Sequence, residues 1–217
     1  ECVITLTHAG YIKRQPVDTY QTQNKGGKGI IGMTTKEEDF IEKVIGVHSH
    51  SYLMFFTNIG KVHMRKAYQI PEGSRQAKGS AIVNLLPLMP QEKVTTIIPL
   101  SEFEDEKYLT MITKKGLIKK TQIADYKTNR KGGIYAISFN EDDELINVMV
   151  TTGSSEIFVA TNKGKSIRFD ENDVRLVGRS ARGVRGITLD EDGQDEVIGM
   201  ICIKDPETES SMVVSEQ

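Results

Sequence analysis

Four times along the chain an apolar run leads into a Thr-x-x-Gly turn. The runs cover residues 3–6, 52–56, 108–112 and 157–160, and the turn glycines are Gly10, Gly60, Gly116 and Gly164. These glycines lie 50, 56 and 48 residues apart. A short strand-like run ending in basic residues follows each turn: Ile12-Lys13-Arg14, Val62-His63-Met64-Arg65-Lys66, Ile118-Lys119-Lys120 and Ile167-Arg168. Each unit continues with a basic, glycine-bearing loop and a third apolar run, at 30–33, 81–86, 134–139 and 187–189. A mostly acidic turn then leads to a last run, at 44–47, 94–98, 145–150 and 197–203; the second unit departs here, with Pro87 and Pro90 around its turn and a further acidic loop at 102–106. Short runs rich in β-branched and aromatic residues, bounded by Gly, Asn and Asp, predict strands. No long amphipathic helix is evident, and residues 39–46 supply at most one helical turn.

The repeating unit is therefore expected to be a four-stranded antiparallel blade. One blade cannot bury both faces, so neighbours must complete the core in a propeller-like ring or arc. The fold class is all-β, a single domain over 1–217 with approximate repeats 1–50, 51–107, 108–156 and 157–210. Residues 211–217 begin a further first strand, so the array is expected to be an incomplete piece of a longer one. A stop just before a hairpin turn leaves an edge poorly protected.

Composition narrows the class. With 38% hydrophobic and 27% charged residues among 217, the chain suits a folded soluble domain. No apolar run approaches the roughly 20 residues of a membrane span, and the start does not read as a signal peptide. Cys2 and Cys202 form neither a disulfide framework nor a zinc site, which favours a reducing, cytoplasmic setting.

The formal charge of −2 hides a segregation. Windows 13–28, 61–78, 114–131 and 163–185 hold 23 of the 28 Lys and Arg residues and only six acids, so they carry +17 against −19 elsewhere. Recurring at one place in each repeat, these residues collect on one rim, the footprint of a polyanion backbone. The densest loop is Gln23-Asn24-Lys25-Gly26-Gly27-Lys28-Gly29, whose glycines permit close approach of amide N–H groups to a phosphate. Related loops hold Arg75 and Lys78, Arg130 and Lys131, and Arg179, Arg182 and Arg185. Further backbone-contact candidates are Lys13, Arg14, Lys61, Arg65, Lys66, Lys119, Lys120 and Arg168. The reading expects Lys25, Lys28, Arg65, Lys78, Lys119, Arg130, Arg182 and Arg185 to point into solvent, and the acidic turns to face elsewhere.

Catalytic chemistry is not apparent. The loops lack the Gly-x-x-x-x-Gly-Lys-Ser/Thr pattern of nucleotide binding, no carboxylate cluster suggests a magnesium site, and the seven tyrosines read as packing residues. His48 and His50, alternate along a strand, make too small a set for a metal. No catalytic residue, metal or cofactor is assigned.

Taken together, the 23–29 loop and the stretches 55–62 and 178–186 resemble the C-terminal domain family of the bacterial DNA gyrase A subunit, across essentially the whole chain. The loop is similar to that family's signature box, usually Gln-(Arg/Lys)-Arg-Gly-Gly-(Arg/Lys)-Gly; Asn24 stands where a basic residue is common, and Lys25 replaces arginine. The resemblance implies a β-pinwheel of generally six blades, each exchanging a strand with its neighbour, that wraps duplex DNA around its basic perimeter. It also implies a parent type II topoisomerase of A2B2 composition, whose gyrase B subunit supplies most of the ATP and Mg2+ chemistry, in the cytoplasm at the nucleoid. Topoisomerase IV's corresponding domain, with a degraded or absent box, is the alternative. From another class, a propeller-like protein-interaction scaffold predicts cations scattered over both faces.

Overall fold

A computed structural model of the chain describes residues 1–19, 39–104 and 106–204. Its strands are β1 (Cys2–Thr7), β2 (Tyr11–Pro16), β3 (Ile41–Val47), β4 (Tyr52–Thr57), β5 (Lys61–Lys66), β6 (Ser80–Ala81), β7 (Val94–Leu100) and β8 (Tyr108–Thr113), followed by β9 (Leu117–Gln122), β10 (Ile134–Tyr135), β11 (Leu145–Thr151), β12 (Glu156–Thr161), β13 (Ser166–Asp170), β14 (Val184–Arg185) and β15 (Val197–Ile203). They form four sheets, ordered β3-β1-β2-β6, β10-β5-β4-β7, β11-β8-β9-β14 and β13-β12-β15. Every strand pairing is antiparallel. The expected all-β, blade-like architecture is present, with residues 39–46 giving strand β3 rather than a helical turn.

The Thr-x-x-Gly turns set the hairpins. In each, the glycine N–H donates to the threonine carbonyl at 3.0–3.1 Å. The glycines adopt φ of +80° to +87°, where a Cβ is strained. In three of the turns the threonine Oγ1 accepts the N–H four residues on, from Tyr11, Leu117 and Lys165.

The third strand corrects the sequence reading. It is two residues long, not three to six, and it joins the sheet of the preceding repeat: β6 on β2, β10 on β5 and β14 on β9. The apolar residues after it leave the edge because the core takes them; Ile82, Ala136, Ile137 and Ile187 are buried. In the fourth sheet only three strands lie among the described residues. Residues 30–33 and 211–217 lie outside them.

The core sits between successive sheets. Leu53 and Phe55 pack with Ile4, Ile12 and Ile97 on one side, while Met54 and Phe56 pack with Met111, Leu109 and Tyr126 on the other. Alternating side chains thus bury both faces of β4, about 2 kcal/mol for each large residue. A third cluster joins Ile112 and Ile118 to Ile157, Val159 and Met200. β12 buries only alternate residues, Ile157, Val159 and Thr161.

Each acidic turn also hides one carboxylate: Asp39, Glu92, Asp143 and Asp195 are buried. Asp39 accepts from the N–H groups of Ala9 and Phe40, and Asp143 from those of Lys115 and Glu144. The sequence reading has the acidic turns facing elsewhere than the basic rim; within them Asp39, Asp143 and Asp195 turn into the fold.

Candidate nucleic-acid interface

β11 packs against β7 on one side and β15 on the other, so the last strands of the second, third and fourth repeats face one another on the inward side. The second strand of each hairpin is on the opposite side of its sheet, and in the first three sheets the donated strand of the next repeat borders it. The basic loops bridge these edges. Loop 71–79 runs beside β2, with Arg14 N–H donating to Pro71 O and Gly73 N–H to Arg14 O, then turns at Ser74–Ala77 and enters β6. Loop 176–183 repeats the path along β9, through Val177 N–H to Lys120 O. Ser138 Oγ donates to Ser180 O, so the loops of successive repeats touch.

The sequence-chosen cations fall into three groups. Arg75, Arg130, Lys131, Arg168, Arg182 and Arg185 are exposed, although Arg168 is ion-paired with Glu156. Six more are half-buried and partly engaged. Arg14 meets Ile70 O and Glu72; Arg65 donates to the carbonyls of Met64, Leu85 and Lys131, its guanidinium pKa lowered by burial; Arg179 donates to Tyr135 O. Lys66 lies 3.3 Å from the Tyr52 ring centre, Lys78 3.5 Å from Tyr11 and Lys61 5.3 Å from Tyr135. Lys13, Lys119 and Lys120 form the third group and are corrections: their ammonium groups are buried. Lys120 Nζ donates to Glu171 O at 3.1 Å, and the other two bind loop carbonyls. Residues 23–29, including Lys25 and Lys28, lie outside the described residues.

Between β5 and the loop that the third repeat delivers to it, an open groove of about 500 Å³ is lined by Arg65, Lys66, Thr128, Asn129, Arg130 and Lys131. Four cations from two repeats converge there, with hydroxyl and amide groups able to bond phosphate oxygens. Thr128 and Asn129 were missed because polar loop residues carry no charge signal. The Lys66–Tyr52 pair was legible: each lies seven residues from Ile59 in the turn, which makes them cross-strand partners.

The opposite charges sit at the hairpin turns. Lys115 pairs with Asp142, Lys163 with Asp192 and Lys165 with Asp190, and Lys114 lies 3.3 Å from Glu196. Cations there are neutralised by acids, whereas those of the loop edge mainly meet carbonyls, rings and solvent. No helix among the described residues is long and apolar enough to cross a membrane, and none of these residues form a group of three or more potential metal ligands.

The family model of the DNA gyrase C-terminal domain, beta-propeller, matches residues 3–48, 51–101, 107–152 and 155–204. The DNA gyrase A subunit of Clostridium acetobutylicum is 54% identical over 184 residues, 85% of this chain and 22% of that protein. The corresponding Staphylococcus epidermidis protein is 43% identical across 99% of this chain and 24% of its own length. The chain thus spans about a quarter of the curated relatives it matches. Among solved structures, the C-terminal domain of DNA topoisomerase IV aligns with a TM-score of 0.79 and 28% identity, covering 94% of this chain and 61% of that one. The DNA gyrase A C-terminal domain gives 0.72 and 29%, covering 94% and 65%. With all four repeats matched in order, the chain belongs to the DNA gyrase C-terminal domain, beta-propeller family.

Proposed function

We propose that this chain binds duplex DNA through its loop edge and bends it around that edge as the wrapping domain of a gyrase A subunit. The observation that carries the reading is the recurrence of exposed arginines and lysines on loops that bridge adjacent sheets at the side away from the inward strands. DNA has a persistence length of about 150 bp, so bending a short segment costs several kcal/mol, which repeated phosphate contacts must offset. The domain reads no sequence, because its cations address phosphates.

In the parent enzyme the rest of the gyrase A subunit, the gyrase B subunit, ATP and Mg2+ would turn the wrapped crossing into ATP-dependent negative supercoiling in the bacterial cytoplasm. The domain itself contributes no catalytic group. The 217 residues act as one domain of repeats 1–50, 51–107, 108–156 and 157–210. Gln23, Asn24, Lys25, Gly26, Gly27, Lys28 and Gly29 form the box that anchors the wrap.

The test is topological. The protein is bound to relaxed closed-circular DNA, the DNA is relaxed again with a type I topoisomerase, and the linking-number change is read at several salt concentrations. A directional shift that falls with salt and is lost in the Lys25→Ala/Lys28→Ala protein is expected. Binding without a shift would favour the topoisomerase IV type of domain, whose solved structure aligns equally fully. A folded protein that binds no DNA at low salt would overturn the reading.

A further inference from the structure

Three residues after each turn glycine, the side chain of the second strand lies beneath the loop delivered by the next repeat. Lys13, His63 and Lys119 fill this place, and all are shut off from solvent. Lys13 Nζ donates to three carbonyls of the following repeat, those of Ser74 at 3.1 Å, Arg75 at 2.8 Å and Ala77 at 3.1 Å. Lys119 Nζ donates to Ala136 O at 2.7 Å and to Arg179 O. The pairings Tyr11 with Ala81 and Leu117 with Arg185 put Arg75 and Arg179 at the same loop position, so two junctions use one device. In the fourth sheet, where no delivered strand lies among the described residues, the place is taken by Ile167, which is 38% exposed.

Burying an ammonium is costly unless acceptors surround it. Here the acceptors of Lys13 are three backbone carbonyls of the loop that carries Arg75 and Lys78, and those of Lys119 are Arg179 O, in the loop that carries Arg179 and Arg182, and Ala136 O of its own repeat. We propose that Lys13 and Lys119 are positioning residues for DNA: each tethers the backbone of the next repeat's basic loop, and thereby fixes how adjacent sheets present their cations, without touching a phosphate itself. The proposal rests on the DNA-wrapping reading above. The second junction lacks the tether. His63 turns its Nε2 to Glu92 Oε1 at 3.0 Å, and the half-buried Arg65 reaches Lys131 O from the side at 3.3 Å.

Lys119 makes the idea testable by pH. Burial first, and then the Arg179 charge, lower its pKa to about 8, against the opposing field of Asp125. Tyr126, the other titratable group facing it, shares the Ala136 carbonyl as a second donor, and burial pushes its phenol well above the usual range. With a pKa near 8 the ammonium fraction falls from about nine-tenths at pH 7 to about one-tenth at pH 9, weakening a charge-assisted tether. Stability moves the other way. A lysine depressed below its unfolded value of 10.5 makes the unfolded state bind more protons between the two, so this group favours the fold as pH rises. A lysine that merely supported the fold would not give wrapping and stability opposite slopes.

The experiment compares the wild type with Lys119→Met and Lys13→Met. Bending is read as energy transfer between the ends of a duplex of about 150 bp, thermal unfolding is followed from pH 6.5 to 9.5, and amide exchange is measured over residues 74–78 and 178–183. In the wild type, bending is expected to fall at least twofold between pH 7 and 9 without loss of thermal stability. Lys119→Met should bend weakly at every pH and exchange faster at 178–183, and Lys13→Met faster at 74–78. Wild-type bending and pH profile retained in Lys119→Met, or unchanged exchange in both variants, would overturn the tether. Should Lys119→Met not fold, the wild-type profile and Lys13→Met decide. Exchange needs no DNA, so a protein that binds none sinks the wrapping role while the tether is judged separately.

Discussion

The second and third sheets receive a strand and loop from the next repeat in the same register, yet hold them by different chemistry. In the third sheet a buried lysine reaches up to the loop carbonyls. In the second, the equivalent His63 looks down, into a cluster where Glu92 also accepts from Thr57 Oγ1 at 2.9 Å and from Met89 N–H at 2.8 Å. One junction puts its polar interior into the loop; the other puts it into the hairpin turn. The basic groove opens at the second junction, where the loop is gripped from the side. A repeat fold can thus keep its backbone plan and vary how firmly each functional loop is held.

The strongest way to break this comparison is through the buried acids. Glu92→Ala leaves Thr57, His63 and Met89 N–H without their acceptor, and is expected to cost about 3 kcal/mol or more. Asp143→Ala in the third sheet frees two backbone N–H groups and no buried side chain, and should cost about 1–2 kcal/mol. Urea midpoints of the two variants measure the difference; equal losses would show that the histidine cluster is not special.

Next are the glycines ahead of the delivered strands. A Cβ on Gly133 would lie 2.8 Å from His63 Nδ1 and 2.9 Å from Val62 O, at a φ of +75°. On Gly183 it would lie 2.8 Å from Ile118 O, at a φ open to any residue. Gly133→Ala should therefore cost about 2–3 kcal/mol and Gly183→Ala about 1–2 kcal/mol. The first should also disturb the groove cations. Thermal unfolding and low-salt DNA affinity together test this, and a less stable Gly183→Ala would reverse the ranking.

Acid titration separates the sheets again. Burial by itself raises the Glu92 carboxyl, but hydrogen bonds from Met89 N–H, His63 and Thr57 outweigh it and hold the group below the usual range. A depressed carboxylate stabilises above its unfolded value of 4.5, and that contribution is lost as pH falls through the folded value. Each unit of depression is worth about 1.4 kcal/mol. Glu92→Gln should flatten the acid limb of a stability profile below pH 5, while Lys119→Met should alter only the alkaline limb. An acid limb unchanged in Glu92→Gln would contradict the assignment.

How far the sequence reveals this follows from which signals are local. Hairpins are legible because the apolar run, the Thr-x-x-Gly turn and the following strand sit within about fifteen residues, as in 52–66. Both-face burial of β4 is legible in its unbroken Leu53–Phe56 apolarity. The exchange of strands is not, since residues 80–81 carry no mark of which sheet they join; the family resemblance implied it where pattern alone did not. Charge identified the loop edge, but it cannot distinguish Lys119 from Arg182. One ends on a strand side that meets carbonyls and the other on an open loop, a difference created only when the next repeat arrives.

The smallest effects sharpen the comparison most finely. Arg130 and Arg182 are both exposed, so replacing either with alanine should alter stability by no more than about 0.5 kcal/mol. Their effects on DNA should differ. A phosphate contact contributes about 0.9 to the slope of log affinity against log salt, and Arg182→Ala should remove close to that amount because Lys119 tethers its loop and no neighbour can move in. Loop 128–132 is held from the side by Arg65 at Lys131 O, with no buried lysine beneath it, and Lys131 is adjacent to Arg130. It can shift toward the vacated phosphate, so Arg130→Ala should lose clearly less. Anisotropy titrations of a labelled duplex at several salt concentrations would resolve the two slopes. Equal losses would mean that both loops present their cations with the same rigidity, and that the buried lysine serves the fold alone.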